Sequence, residues 1–116
     1  MHELSVCLSL LEQVQAVAEE RDAVQVTRIE LRVGPLSGVE SALLRSAWPM
    51  AAAGSIAVDA EFVVEDIGIV VRCSACEAET DAQPNRLVCG TCGDFRTSVV
   101  SGDDMILQSV ELETAQ

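Results

Sequence analysis

Two Cys-x-x-Cys pairs, Cys73-Ser74-Ala75-Cys76 and Cys89-Gly90-Thr91-Cys92, constrain this chain's fold more than any other feature of its sequence. Each pair can make a tight turn that aims two thiolates at one ion, and two such turns supply a tetrahedron. Twelve residues lie between the pairs, which is the ligand spacing of a four-cysteine zinc site. The run Cys89-Gly90-Thr91-Cys92-Gly93 strengthens the reading, since glycine readily takes the left-handed conformation that such turns use. The rival chemistry, a redox dithiol, normally uses a single motif in a thioredoxin-like setting. Four thiolates leave no open position for water, so the zinc is expected to be structural rather than catalytic. The roughly thirty residues from Val71 to Asp103 cannot build an aliphatic core of their own, and metal binding would supply most of their folding free energy. Cys7, the odd cysteine, lies on the apolar face of a helix and reads as a small core residue. A sulfur role near an N-terminal metal is its alternative.

At 116 residues the chain is expected to form one domain, or one core with a small appended module. Hydrophobic residues make up 49% of it and aromatics only 3%, so its interior must be aliphatic. The seven basic residues are all arginine, and nineteen acids bring the net charge to -12. Nucleic-acid binding depends on Lys and Arg neutralising phosphates, which this charge opposes. The acidity serves solubility, or draws cations or a basic partner. No stretch reaches the roughly 18 apolar residues of a membrane span. The start of the chain lacks the basic region of a secretory signal. A cytoplasmic location is therefore expected, where thiols stay reduced and serve as metal ligands.

Leu4, Cys7, Leu8, Leu11, Val14 and Ala18 follow the spacing of one helical face, with Leu10 and Val17 widening the stripe. From Val26 the period becomes two. Thr27, Ile29, Leu31 and Val33 fall on one side, Arg28, Glu30 and Arg32 on the other, which is a strand with one charged face. Gly34-Pro35 stops it. Ser37-Gly38-Val39-Glu40 reads as a capping box opening a second helix through Leu43, Leu44, Ala47 and Trp48. Pro49 is expected to kink that helix or end it early. Val58, Ala60, Phe62 and Val64 alternate with Asp59, Glu61 and Glu65 as a second strand, and Ile69 to Val71 forms a third. The last strand covers Met105 to Glu113, with a bulge near Gln108-Ser109 that would bring Met105, Leu107, Val110 and Leu112 to one face.

The single histidine is residue 2. The amine of Met1, the backbone nitrogen of His2 and its imidazole Nδ1 can close around one ion in an almost planar array. The Glu3 backbone nitrogen or its carboxylate would complete a square. Nitrogen-rich square-planar sites suit Ni(II) and Cu(II) rather than zinc. A frayed, solvated chain end is the competing reading of His2.

Met1-His2-Glu3, the helix continuing through Leu4-Ser5-Val6-Cys7, the segment Val33-Gly34-Pro35-Leu36-Ser37-Gly38-Val39-Glu40, and the two Cys-x-x-Cys pairs together resemble one family in order along the whole chain. It is the HypA/HybF family of nickel metallochaperones, which help insert nickel into nickel–iron hydrogenase. The resemblance implies an α+β fold: two helices on one face of a small mixed sheet, residues 1–70 plus 104–116, with an inserted zinc-ribbon-like four-cysteine domain, residues 71–103. It implies nickel on Met1, His2 and Glu3, and zinc on Cys73, Cys76, Cys89 and Cys92. Its implied partners are the nickel-handling GTPase HypB, the hydrogenase large-subunit precursor and, for some members, urease maturation proteins. The carrier would be a monomer or homodimer. Unlike some relatives, this chain has no histidine beside its zinc cysteines. A zinc-ribbon protein-interaction module without nickel transfer is the alternative function. An enzyme is the weakest reading, because the only histidine is terminal and the zinc site closed.

Overall fold

The computed structural model describes residues 2–115. Along the chain run α1 (His2–Glu20), β1 (Ala23–Val33), α2 (Ser41–Ala52), β2 (Glu61–Asp66), β3 (Ile69–Cys73), β4 (Glu79–Ala82), β5 (Thr97–Ser101) and β6 (Met105–Thr114). The strands form two three-stranded sheets, in the orders β2-β1-β6 and β4-β3-β5. The fold class is α+β, as expected. Of the described residues, 2–32, 40–65 and 106–115 make one compact unit, and 33–39 and 66–105 make the other. Among the described residues no helix is long and apolar enough to cross a membrane.

In the first unit, α1 buries Cys7, Leu10, Val14 and Ala18, a line three or four residues apart. The buried stripe is turned from the expected one. Leu10 lies at its centre with 1% of its surface exposed, whereas Leu8 is 47% exposed. The β1 alternation also shifts: Val26, Ile29, Leu31 and Val33 are buried, and Thr27 is exposed, donating its hydroxyl to the Glu111 carbonyl at 3.1 Å. The opposite face is charged as expected. Arg28 pairs with Glu30 at 3.1 Å, and Arg32 with Glu65 at 3.0 Å.

The second helix departs from expectation at both ends. It begins at Ser41, with Glu40 as N-cap and no side-chain cap. Gly38 sits at φ +80, outside helical space, and the Ser37 hydroxyl accepts the Val39 N–H at 3.3 Å rather than capping α2. At the other end Pro49 lies inside the helix, which continues to Ala52. Packing outweighs the missing N–H there, because Trp48, Ala51 and Ala52 on either side of the proline are all buried. Trp48 stacks on Phe62 of β2, with ring centroids 4.5 Å apart. The strand expected from Val58 starts only at Glu61. Ser55 to Ala60 form successive turns, closed by Val58 N–H to the Ser55 carbonyl and Ala60 N–H to that of Ala57. In β6 the half-buried positions change parity between Ser109 and Val110, one residue beyond the expected bulge.

The second unit is built on β3, whose Ile69, Val71 and Cys73 are buried. β4 and β5 pair antiparallel on either side of it. Neither flanking strand was anticipated from the sequence. The 34–39 loop joins this unit through Gly34 N–H to the Asp104 carbonyl and Leu36 N–H to that of Gly102. A Cβ on Gly34 would overlap the Gly102 carbonyl group, so only glycine fits that approach.

Candidate metal centres

The thiols of Cys73, Cys76, Cys89 and Cys92 all lie within 4.8 Å of one another. Cys73 and Cys92 are 3.6 Å apart at sulfur, and Cys76 and Cys89 3.5 Å. A tetrahedral ion with metal–sulfur bonds near 2.3 Å needs sulfur–sulfur edges of about 3.8 Å. The cluster is therefore already at the size of a four-thiolate zinc shell, and an all-thiolate donor set suits zinc.

The two halves repeat one local design. Cys73 Sγ accepts the N–H groups of Ala75 and Cys76 at 3.3 and 3.4 Å; Cys89 Sγ accepts those of Thr91 and Cys92 at the same distances. Glu77 N–H then closes on the Cys73 carbonyl, and Gly93 N–H on that of Cys89. Both closing residues are left-handed, at φ 63 for Glu77 and φ 77 for Gly93. Glycine fills that position only in the second turn, which explains why the sequence signalled one turn more clearly than the other. Each turn is braced: Cys73 N–H bonds the Ala78 carbonyl, and Cys89 N–H that of Asp94. Asp94 in turn grips the Arg96 guanidinium through two bonds of 3.1 and 2.8 Å. That pairing, with the Arg96 N–H, holds the Asp94 carboxyl down to about 2.

The electrostatics fit a site awaiting a divalent cation. The Cys92 N–H outweighs burial and, with the Thr91 N–H and neighbouring sulfurs, lowers the Cys89 thiol to about 6. The Cys76 N–H, again against burial, lowers Cys73 in the same way. The other two sulfurs move oppositely. The Asp94 N–H draws Cys92 down, but sharing a proton with Cys73 pushes it up to about 12. The Ala78 N–H draws Cys76 down, and its contact with Cys89 raises it. Four sulfurs this close cannot all ionise without a counter-charge, so a bound cation must displace the protons of Cys76 and Cys92.

At the other expected centre, Met1 lies outside the described residues. His2 is the first residue of α1 and is exposed; Glu3 is buried, with 7% of its surface exposed. First-turn N–H groups of a helix have no carbonyl partner in its ladder, and that of Glu3 turns to its own carboxylate. The Glu3 carboxylate accepts the Glu40 N–H at 3.4 Å, at the N-cap of α2. Burial raises its carboxyl, but the N–H groups of Glu3 itself and Glu40, with His2 nearby, bring it below the usual carboxylate range. Sequence reasoning missed this tie. The capping-box reading assigns Glu40 to a pairing with Ser37 instead, inside the helix rather than at its N-cap. Cys7 is fully buried and donates to the Leu44 carbonyl at 3.6 Å, a core position.

A family model described as "Hydrogenase/urease nickel incorporation, metallochaperone, hypA" matches residues 1–112. The chain is 41% identical to the hydrogenase maturation factor HypA of Nitrosospira multiformis, over 98% of this chain and 99% of that one. It is 37% identical to that of Aquifex aeolicus, over 97% and 98%. Among solved structures, the Ni metallochaperone HypA from Helicobacter pylori has the same fold, with a TM-score of 0.72 at 24% identity over 97% of each chain.

Proposed function

The chain belongs to the HypA family of nickel metallochaperones for hydrogenase maturation, and from that premise we propose that it carries Ni(II) on Met1, His2 and Glu3 for delivery to the hydrogenase large-subunit precursor. The family consists of maturation factors, not enzymes. The four-cysteine cluster fits zinc, and in this reading Cys73, Cys76, Cys89 and Cys92 hold it as a structural ion. HypB is the proposed GTPase partner, urease maturation proteins are further candidates, and the cytoplasm is the proposed place of work.

The observation that carries the nickel reading is the position of His2, the single histidine, exposed at the start of α1 with Glu3 beside it in the first turn. A bare cation is disfavoured at this positive end of the helix dipole. An ionised amide nitrogen of His2 would offset one of the ion's two charges there, with the Met1 amine and the His2 imidazole as its neighbours in the plane and Glu3 supplying the fourth donor. Selection would then rest on planar geometry, because on affinity alone copper outcompetes nickel. Open axial directions would let a receiving ligand approach before the first donors leave.

The test is nickel titration, followed by absorption spectroscopy, of untagged wild type beside His2→Ala and N-terminally acetylated protein. Wild type is expected to bind one equivalent with the spectrum of a planar nitrogen site, and both altered forms to lose it. An acetylated protein that binds with the same affinity and spectrum removes the proposed site.

A further inference from the structure

Both helices of the first unit carry more apolar surface than they bury. In α1 the line through Cys7, Leu10, Val14 and Ala18 is covered, which leaves Leu4, Leu8 and Leu11 as a second line exposed or half-exposed at helical spacing. In α2, Leu44, Trp48, Ala51 and Ala52 are covered, leaving Leu43, Ala47 and Met50 at positions i, i+4 and i+7. Leu43 is 47% exposed and Met50 70%. Side chains from the two lines meet: Leu4, Leu43, Ala47 and Met50, with Glu3 and Ser46, line a groove of about 380 Å³. Scattered exposed apolar residues need no explanation, but Leu4 of α1 lining one groove with Leu43, Ala47 and Met50 of α2 makes a contiguous patch.

Charge defines the occupant. Glu3 is the charged residue in the groove lining, Glu40 at the N-cap of α2 bonds it, and α1 as a whole carries Glu3, Glu12, Glu19 and Glu20 with no arginine. The one arginine of α2, Arg45, donates its guanidinium to the Val64 carbonyl at 2.8 Å, toward β2. A second copy of this chain, with its net charge of -12, would meet like charge; a basic partner would be steered in. An apolar groove between two helices, with an adaptable methionine and an acid in its lining, matches a helix-in-groove surface. We propose that the α1–α2 groove docks an amphipathic helix of a partner protein, its stripe of leucine-type side chains flanked by lysine or arginine.

The groove shares Glu3 with the proposed nickel site, and docking is therefore tested without nickel, so that its failure is distinguishable from failure of nickel binding. The probe is a labelled, end-blocked helical peptide of about 20 residues, with leucines at i, i+3, i+4 and i+7 and lysines beside them, read by fluorescence anisotropy. Leu43→Glu and Met50→Glu are each expected to weaken binding about tenfold or more, while Val58→Glu, at a 54% exposed position outside the groove, leaves it unchanged. The added glutamates make this discriminating, because purely electrostatic attraction would grow with each one. Matching far-UV circular dichroism identifies the folded variants, and Met50, the more exposed residue, supplies the result should Leu43→Glu unfold. A peptide with glutamates in place of its lysines is expected to lose binding. The proposal is overturned by undiminished binding to folded Met50→Glu, by no binding to wild type, or by equal binding of the acidic peptide. Self-association of wild type that Met50→Glu abolishes would also overturn it, making a second copy the occupant.

Discussion

Glu3 combines two demands in one residue: its backbone nitrogen lies in the first turn of α1, and its carboxylate reaches the Glu40 N–H. An amide oxygen can accept that N–H as a carboxylate does. Glu3→Gln is therefore expected to keep both the fold and nickel binding, whereas Glu3→Ala lowers the thermal midpoint; melts and nickel titrations on the two variants separate these roles. The carboxyl lies below its ordinary range in the folded chain, so its contribution is present above that range and is lost as pH falls through the folded value. At Gly34 the constraint is steric. Gly34→Ala places a methyl against the Gly102 carbonyl and is expected to cost about 1–3 kcal/mol, read by chemical denaturation. The sequence identified Gly34 as a strand terminator through its Pro35 neighbour. The close approach to Gly102 was invisible there, because it joins residues from distant parts of the chain.

The metal-binding turns were the most legible elements, because cysteine spacing is itself a geometric instruction. What spacing did not disclose was their N–H donors, which decide which thiols ionise. Cys89 is lowered to about 6 from an ordinary value of 9.0. A depressed thiol contributes stability that is present above its unfolded value and lost as pH falls through the folded one. In the metal-free protein that window runs from about 9 down to about 6. Protons also compete directly with the ion, so zinc retention is expected near neutral pH, with release steepening as pH drops below about 6; a chromogenic chelator checks it. Helix faces were less legible. α1 has apolar residues on more than one line, and periodicity alone could not rank Leu8 against Leu10. In α2, Pro49 overstated the break, since the buried residues flanking it hold the helix together. β4 and β5 were missed for lack of a hydrophobic alternation, as Glu79-Thr80-Asp81-Ala82 shows.

At the scale of the whole molecule, the α+β class and the order of the elements other than β4 and β5 were readable, because helical and strand periods alternate along the chain. Residues 69–101 hold β3, β4, β5 and all four clustered cysteines, yet the glycines on either side of that stretch almost touch. A Cβ on Gly102 would lie 2.8 Å from the Gly68 carbonyl oxygen. Topologically the stretch is a closed circuit: the chain departs and comes home at one point. A circuit of that kind can be cut out with a short patch, since its ends already meet and a shorter flexible loop has less closure entropy to lose. A chain with a two-glycine bridge in place of residues 69–101 is therefore expected to retain α1 and α2 by circular dichroism while binding no zinc. Loss of the helical signal would show that the circuit is not a removable cassette. The same doorway geometry makes this a natural place to splice in a foreign metal-binding loop, with no need to redesign the residues on either side.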